Sequence, residues 1–196
     1  MSTAAPFRQA PTLETERLVL RAHAVGDFEA CCAMWADPLV ARYTIGTPST
    51  RHRTWLRILA YAGHWALLGF GYWAAEEKAS GRYIGELGFA DFKRDLELPI
   101  EAATAGFAGI DGIPELGWAL TPSAHNQGFA TEALRAAVAW GDEHFDGART
   151  VCIISPDNSA SLRVAAKLGY AEVARTTKNG EPELLFARPV SRSPRR

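Results

Sequence analysis

The sequence predicts an α/β domain built on a mixed, mostly antiparallel sheet of about seven strands, flanked by about four helices. Three observations carry this. Segments of period two and segments of period 3.6 succeed one another in the order β-α-α-β-β-β-α-β-α-β-β. The chain has 196 residues, 47% of them hydrophobic, which suits one domain with a proper core. It contains no internal repeat that would suggest a solenoid.

The elements follow in order. Residues 1–12 are small, polar and proline-bearing and are expected to form a flexible tail, with the domain proper over 13–189 and a flexible basic tail over 190–196. RLVLRAH, from Arg17 to His23, alternates apolar and basic residues, a strand with one wet face. Gly26-Asp27 offers an N-cap for a helix through Phe28, Cys31, Cys32, Met34 and Trp35, which Asp37-Pro38 breaks. A linker with Tyr43, Gly46 and Pro48 leads to Ser49/Thr50, which caps a second helix, RHRTWLRILAYAGHWALL. GYWAAEE and RYIGELGFADF then form an antiparallel hairpin about Ala79-Ser80-Gly81. Residues 93–112 keep no period and read as a long loop. Strand ELGWAL, helix 129–141, the apolar strand TVCIIS, a helix capped by Pro156-Asp157-Asn158 and a final pair about Asn179-Gly180 complete the chain.

Composition excludes several classes. A formal charge of -1 argues against a general nucleic-acid or anionic-membrane binder, and no direct nucleic-acid or membrane partner is expected. No apolar run reaches membrane-spanning length, and the amino terminus lacks the layout of a secretory signal. Three cysteines, two of them adjacent, make no disulfide framework; reduced, buried thiols in a cytoplasmic protein are expected. His23, His52, His64 and His144 show no metal-ligand spacing and read as surface or capping residues, so no metal is expected.

The stretch from Pro114 to Trp140 is the informative one. Thr121-Pro122 stops a strand, Ser123 to Gln127 make a polar turn, and Gly128 opens a helix with Phe129, Ala133, Leu134, Ala137 and Val138 on one stripe. Such a turn leaves the first helical amides unpaired at the positive end of the helix dipole, which makes an anion site. An ordinary strand-to-helix connection has the same pattern. Neither G-x-x-x-x-G-K-[ST] nor G-x-G-x-x-G occurs, so a P-loop and a Rossmann turn are unsupported.

Four segments together resemble the GNAT acetyltransferases, and within them the RimJ/RimL-like branch that acetylates ribosomal-protein amino termini. They are LETERLVLRAHAVGDFEA, DPLVARY, ELGWALTPSAHNQGFATEAL and NSASLRVAAKLGY, in the family's order over nearly the whole chain. The resemblance implies a GNAT fold splayed between the fourth and fifth strands, with acetyl-CoA as cosubstrate. Its pyrophosphate would lie on His125, Asn126, Gln127, Gly128, Phe129, Ala130 and Thr131. The family usually has Gln or Arg at His125 and glycine at Asn126, but Asn tolerates the left-handed conformation that glycine supplies. Backbone groups of Trp118, Ala119 and Leu120 would pair with the pantetheine arm, one amide polarising the thioester carbonyl. Asn158 would touch the same arm while capping its helix.

The resemblance also suggests the acid and base. Glu115, at the entry of the strand, is the candidate base through a water; a solvated strand-end carboxylate is the alternative. Ser161 matches the serine near the coenzyme sulfur, or simply bonds backbone in the first helical turn. A tyrosine acid used by other branches is excluded, since Ala165 stands there. Tyr43, Trp73 and Trp118 fall where the acceptor pocket is walled, whereas Trp55, Trp65, Trp140 and Tyr170 read as core. Arg163 and Lys167 could meet phosphates but suit a solvated face.

The expected activity is direct acetyl transfer to a primary amine, a protein amino terminus or a small amine, through a ternary complex. No Cys-His or Ser-His arrangement suggests an acyl-enzyme. The alternative is the same fold binding an acyl-CoA as a sensor without turnover. A homodimer is compatible with either.

Overall fold

In the computed structural model, which describes residues 8–94, 96, 98–99, 106, 109–146, 148–178 and 180–189, one strand more is present than the periodicity suggests. The sheet has eight strands in the order β1-β2-β3-β4-β5-β6-β8-β7. The addition is β1 (Leu13–Glu14), paired antiparallel with β2 (Leu18–Arg21) through Leu13 opposite Leu20. Two residues are too short to show a period.

The chain divides into two compact units, and β5 (Glu115–Leu120) and α4 (Phe129–His144) run through both. The first comprises the residues through Ala90 with Trp118–Ala136. In it β2 pairs with β3 (Tyr72–Glu77), and β3 pairs with β4 (Arg82–Ala90) as the expected hairpin. Gly85 of β4 has φ 156°, and a Cβ there would lie 2.4 Å from the Ala119 carbonyl oxygen. Only a glycine lets β4 approach β5 this closely.

Helices α1 (Phe28–Ala36), α2 (Pro38–Ala41) and α3 (Arg51–Leu68) belong to the same unit. Two expectations change here. Asp27 precedes α1 but does not cap it; its carboxylate pairs with Arg21 at 2.8 Å and accepts the Ala24 amide. An ion pair with an adjacent guanidinium outcompetes a cap bond. Asp37-Pro38 ends α1 as expected, yet it also starts α2. Pro38 occupies the first turn and the Asp37 side chain accepts the Leu39 amide, so a breaker for one helix nucleates the next. Thr50 caps α3 through the Arg53 amide, and Gly69 closes it with φ 75°.

The second unit holds Asp91–Gly117 and the chain from Ala137 on. The register between β5 and β6 (Thr150–Ile154) is one parallel pair, Glu115 opposite Val151. β6 then pairs antiparallel with β8 (Glu181–Arg188), and β8 with β7 (Ala171–Lys178). The interior position of β6 explains its unbroken apolar run. α5 (Ser159–Lys167) lies between β6 and β7 in sequence. Ile110, Val151, Ala174 and Leu185 form a buried hydrophobic cluster in this unit, with Leu96 and Leu98 packed against them, so the aperiodic stretch is anchored at those residues. Cys31, Cys32 and Cys152 are free and buried. The tails expected at 1–12 and 190–196 fall largely outside the described residues, although Ala10 is buried. Among the described residues no helix is long and apolar enough to cross a membrane.

Candidate active site

The turn between β5 and α4 is built as the sequence suggests. A short 3-10 turn, Pro122–Ala124, follows β5, and the His125 ring nitrogen Nε2 lies 2.9 Å from the Leu120 carbonyl. That contact gives His125 a structural task of closing the turn on its strand. Asn126 has φ 61° and Gly128 φ 82°, so asparagine adopts the left-handed conformation required of it. Glu132 donates its amide to the Gly128 carbonyl, the first bond of the helix. Among the described residues, the amides of residues 126–131 meet no acceptor. Phe129 is buried, and Ala130 and Thr131 are half-buried behind an exposed rim of His125, Asn126, Gln127 and Gly128. Exposed, unpaired amides at a helix start attract an anion.

A charged clasp that the sequence reading missed surrounds this turn. Arg17 pairs with Glu132 at 2.7 Å and donates Nη1 to the Gln127 carbonyl at 3.0 Å. Its guanidinium also lies 4.3 Å from the Phe129 ring centre. Arg17 immediately precedes β2 and reads in the sequence as one more basic residue of RLVLRAH, so nothing in the local pattern singles it out.

Trp118 is half-buried, while Ala119 and Leu120 are buried, so any ligand pairing with this strand meets it through the backbone. Tyr43 is half-buried beneath the Arg42 guanidinium. Trp73 is fully buried, its indole N–H on the Pro11 carbonyl at 2.8 Å and its ring edge-on to Trp65. In this conformation Trp73 presents no surface to a ligand.

In the second unit, Glu115 is 5% exposed and held by a forked pair with Arg94, at 2.7 and 2.9 Å. Arg94 comes from the stretch that shows no period, which is why sequence gives Glu115 no partner. Asn158 caps α5 by accepting the Ser161 amide at 3.1 Å, and the Ser161 side chain is half-exposed. Arg163 and Lys167 are exposed on α5, as a solvated face would be. Tyr170 is core, bonded to Thr150 at 2.6 Å.

His23 departs from the surface role expected of it: its side chain is 2% exposed and sits 3.5 Å from the fully buried Glu86. Glu86 also accepts Trp35, Tyr61 and Tyr83 at 3.0, 2.5 and 2.9 Å. Burial pushes its pKa up, but His23, Arg57 and the Tyr61 hydroxyl outweigh burial and hold it below the ordinary value. His23, Cys31 and Glu86 offer donor atoms within 4.8 Å of one another. Burial and Glu86 push the Cys31 thiol up to about 12, so on its own it stays protonated at neutral pH. The cluster reads as a buried carboxylate saturated by aromatic donors.

The strand arrangement and the amide-lined turn define a protein built on the acetyltransferase plan. Residues 17–171 match the acetyltransferase (GNAT) domain, and the chain belongs to that family. It is an acyltransferase. Bacillus subtilis YkkB is 28% identical over 120 residues, spanning 61% of this chain and 62% of YkkB. A solved GNAT-family acetyltransferase from Bordetella pertussis is 29% identical, with TM-score 0.76, covering 91% of this chain and 99% of that one. RimL, the ribosomal L7/L12 α-N-protein acetyltransferase solved with coenzyme A, has TM-score 0.71 over 93% of this chain and all of its own, at 16% identity. That likeness shows the shared fold and does not single out the RimJ/RimL branch.

Proposed function

We propose that the protein transfers the acetyl group of acetyl-CoA directly to a primary amine in a ternary complex. The observation that carries this reading is the turn over residues 125–131, with left-handed Asn126 and Gly128 and amides that meet no acceptor among the described residues. The pyrophosphate rests on these amides. The pantetheine arm runs along the backbone of Trp118, Ala119 and Leu120, with Asn158 as a side-chain contact, and an amide stabilises the developing oxyanion. One such donor lowers the barrier by about 3 kcal/mol.

The amine nitrogen attacks the thioester carbonyl, the C–S bond breaks, and the pair of electrons leaves on sulfur. Glu115 takes the ammonium proton through a water, and Ser161 supports the departing thiolate. For this, Glu115 must loosen from Arg94, whose forked contact now fills both carboxylate oxygens. The acceptor, a protein amino terminus or a small amine, is walled by Tyr43 and Trp118. The RimJ/RimL-like reading, a cytoplasmic location and a homodimer belong to the same proposal; no metal has a part in the chemistry.

Glu115→Gln tests the assignment. It should lower kcat about a hundredfold, within the range of a lost general base, and leave acetyl-CoA binding intact. An unchanged rate of free-thiol release would remove Glu115 as base.

A further inference from the structure

Resting on that reading of the turn, we infer that Arg17 is the positioning residue that gives the turn its affinity for the coenzyme's pyrophosphate. Its guanidinium makes three kinds of contact at once. Nε and Nη2 each lie 2.7 Å from Glu132 Oε2, Nη1 donates to the Gln127 carbonyl at 3.0 Å, and the face of the group covers Phe129. Glu132 is fixed from its other side, Oε1 accepting the Thr15 hydroxyl at 2.6 Å and the Arg17 backbone amide at 2.8 Å.

The Gln127 contact sets the direction of an amide. In a trans peptide the carbonyl and the following N–H point to opposite sides. Holding the Gln127 carbonyl on Arg17 therefore turns the Gly128 amide the other way, as an anion cradle needs. The Glu132 contact sets the charge. A carboxylate in the first helical turn suits the dipole but repels a phosphate brought to the same end. Pairing Glu132 with Arg17 removes that repulsion. Burial pushes the Glu132 pKa up, while Thr15 and Arg17 more than offset it, so the carboxylate stays ionised and the clasp closed at neutral pH. Arg17 is 42% exposed at its side chain, and its Nη2 lies 3.4 Å from where a Gly128 Cβ would stand, so the cation flanks the turn itself. Lysine could make one of these contacts but not the fork.

Titration calorimetry with coenzyme A and with pantetheine, which lacks the pyrophosphate, separates the possible roles. The proteins are wild type, Arg17→Ala and Arg17→Lys, each checked for a folded thermal transition. Both variants should bind coenzyme A about tenfold more weakly, the loss of a charge-assisted contact, with pantetheine affinity unchanged. A wild-type preference for coenzyme A that both variants retain would overturn the inference and leave the turn reading standing. Equal weakening towards both ligands would make Arg17 a fold support only and overturn it too. A wild type that binds the two alike would remove the turn reading, and this inference with it.

Discussion

Glu86 shows how one residue can govern a neighbourhood. Its carboxylate is fully buried and organises Trp35, Tyr61, Tyr83 and His23 from four separate segments. Glu86→Gln removes the negative charge facing His23 and Arg57, and breaking such a buried arrangement costs about 3 kcal/mol. Chemical denaturation should show that loss, and an unchanged midpoint would mean that the charge is dispensable. The sequence holds no sign of this centre. Glu86 lies in a strand that is buried without alternation from Ile84 to Ala90, and apart from Tyr83 in the same strand its partners are distant, the Trp35 and Tyr61 contacts spanning 51 and 25 positions. His23 was misread for the same reason: ligand spacing says nothing of a partner brought in by topology. The motif singles out Glu115 as a candidate, whereas nothing in the sequence singles out Arg94, which clamps it. Arg94→Ala should free that carboxylate, so its effect on kcat, measured beside Glu115→Gln, tells whether the clamp limits the reaction or sustains it. A kcat at the wild-type value would show that the pair is irrelevant to turnover.

At the scale of elements, long periodic segments and strong punctuators were readable. Thr50 and Gly69 bound α3 as the cap rules require, and Asn158 caps α5. Short elements were not. β1 has too few residues for a pattern, and α2 was hidden because Asp37-Pro38 serves as both a stop and a start. The close approach of β4 to β5 was equally invisible, since glycine leaves no periodic trace. Gly85→Ala would place a methyl 2.4 Å from both the Ala119 carbonyl and a Leu120 methyl. The strand carrying Trp118 to Leu120 must then shift. The melting temperature should fall, and coenzyme binding should weaken if this strand supports the pantetheine arm as proposed. Binding unchanged at a lowered melting temperature would separate the strand's packing from that role.

For the molecule as a whole, acid is the informative stress. Asp27 and Glu132, like Glu86, are held below the ordinary carboxylate range. In each case burial pushes upward, but the pairs with Arg21 and Arg17, and the His23–Arg57 surroundings of Glu86, prevail. A depressed folded pKa means that the unfolded chain binds the proton first. The stability these groups contribute is therefore complete above the unfolded value of about 4 and drains away as pH falls through the folded values. Thermal melts should be flat from neutral pH to about 5 and drop steeply below about 4. A melting temperature that holds at pH 3 would contradict the pairings. The family and its sheet were legible from four spaced motifs, because those motifs are the turns and caps that the fold reuses. The acceptor was not, because the stretch 93–112 and the linker before α3 follow no period that physics ties to a ligand. Catalysis is tested by following free-thiol release from acetyl-CoA with peptide amino termini, polyamines and aminoglycosides, on protein already titrated with acetyl-CoA. Acetyl-CoA binding with thiol released by at least one of these amines is the predicted result. Binding with no release from any of them, or no binding at all, would contradict it.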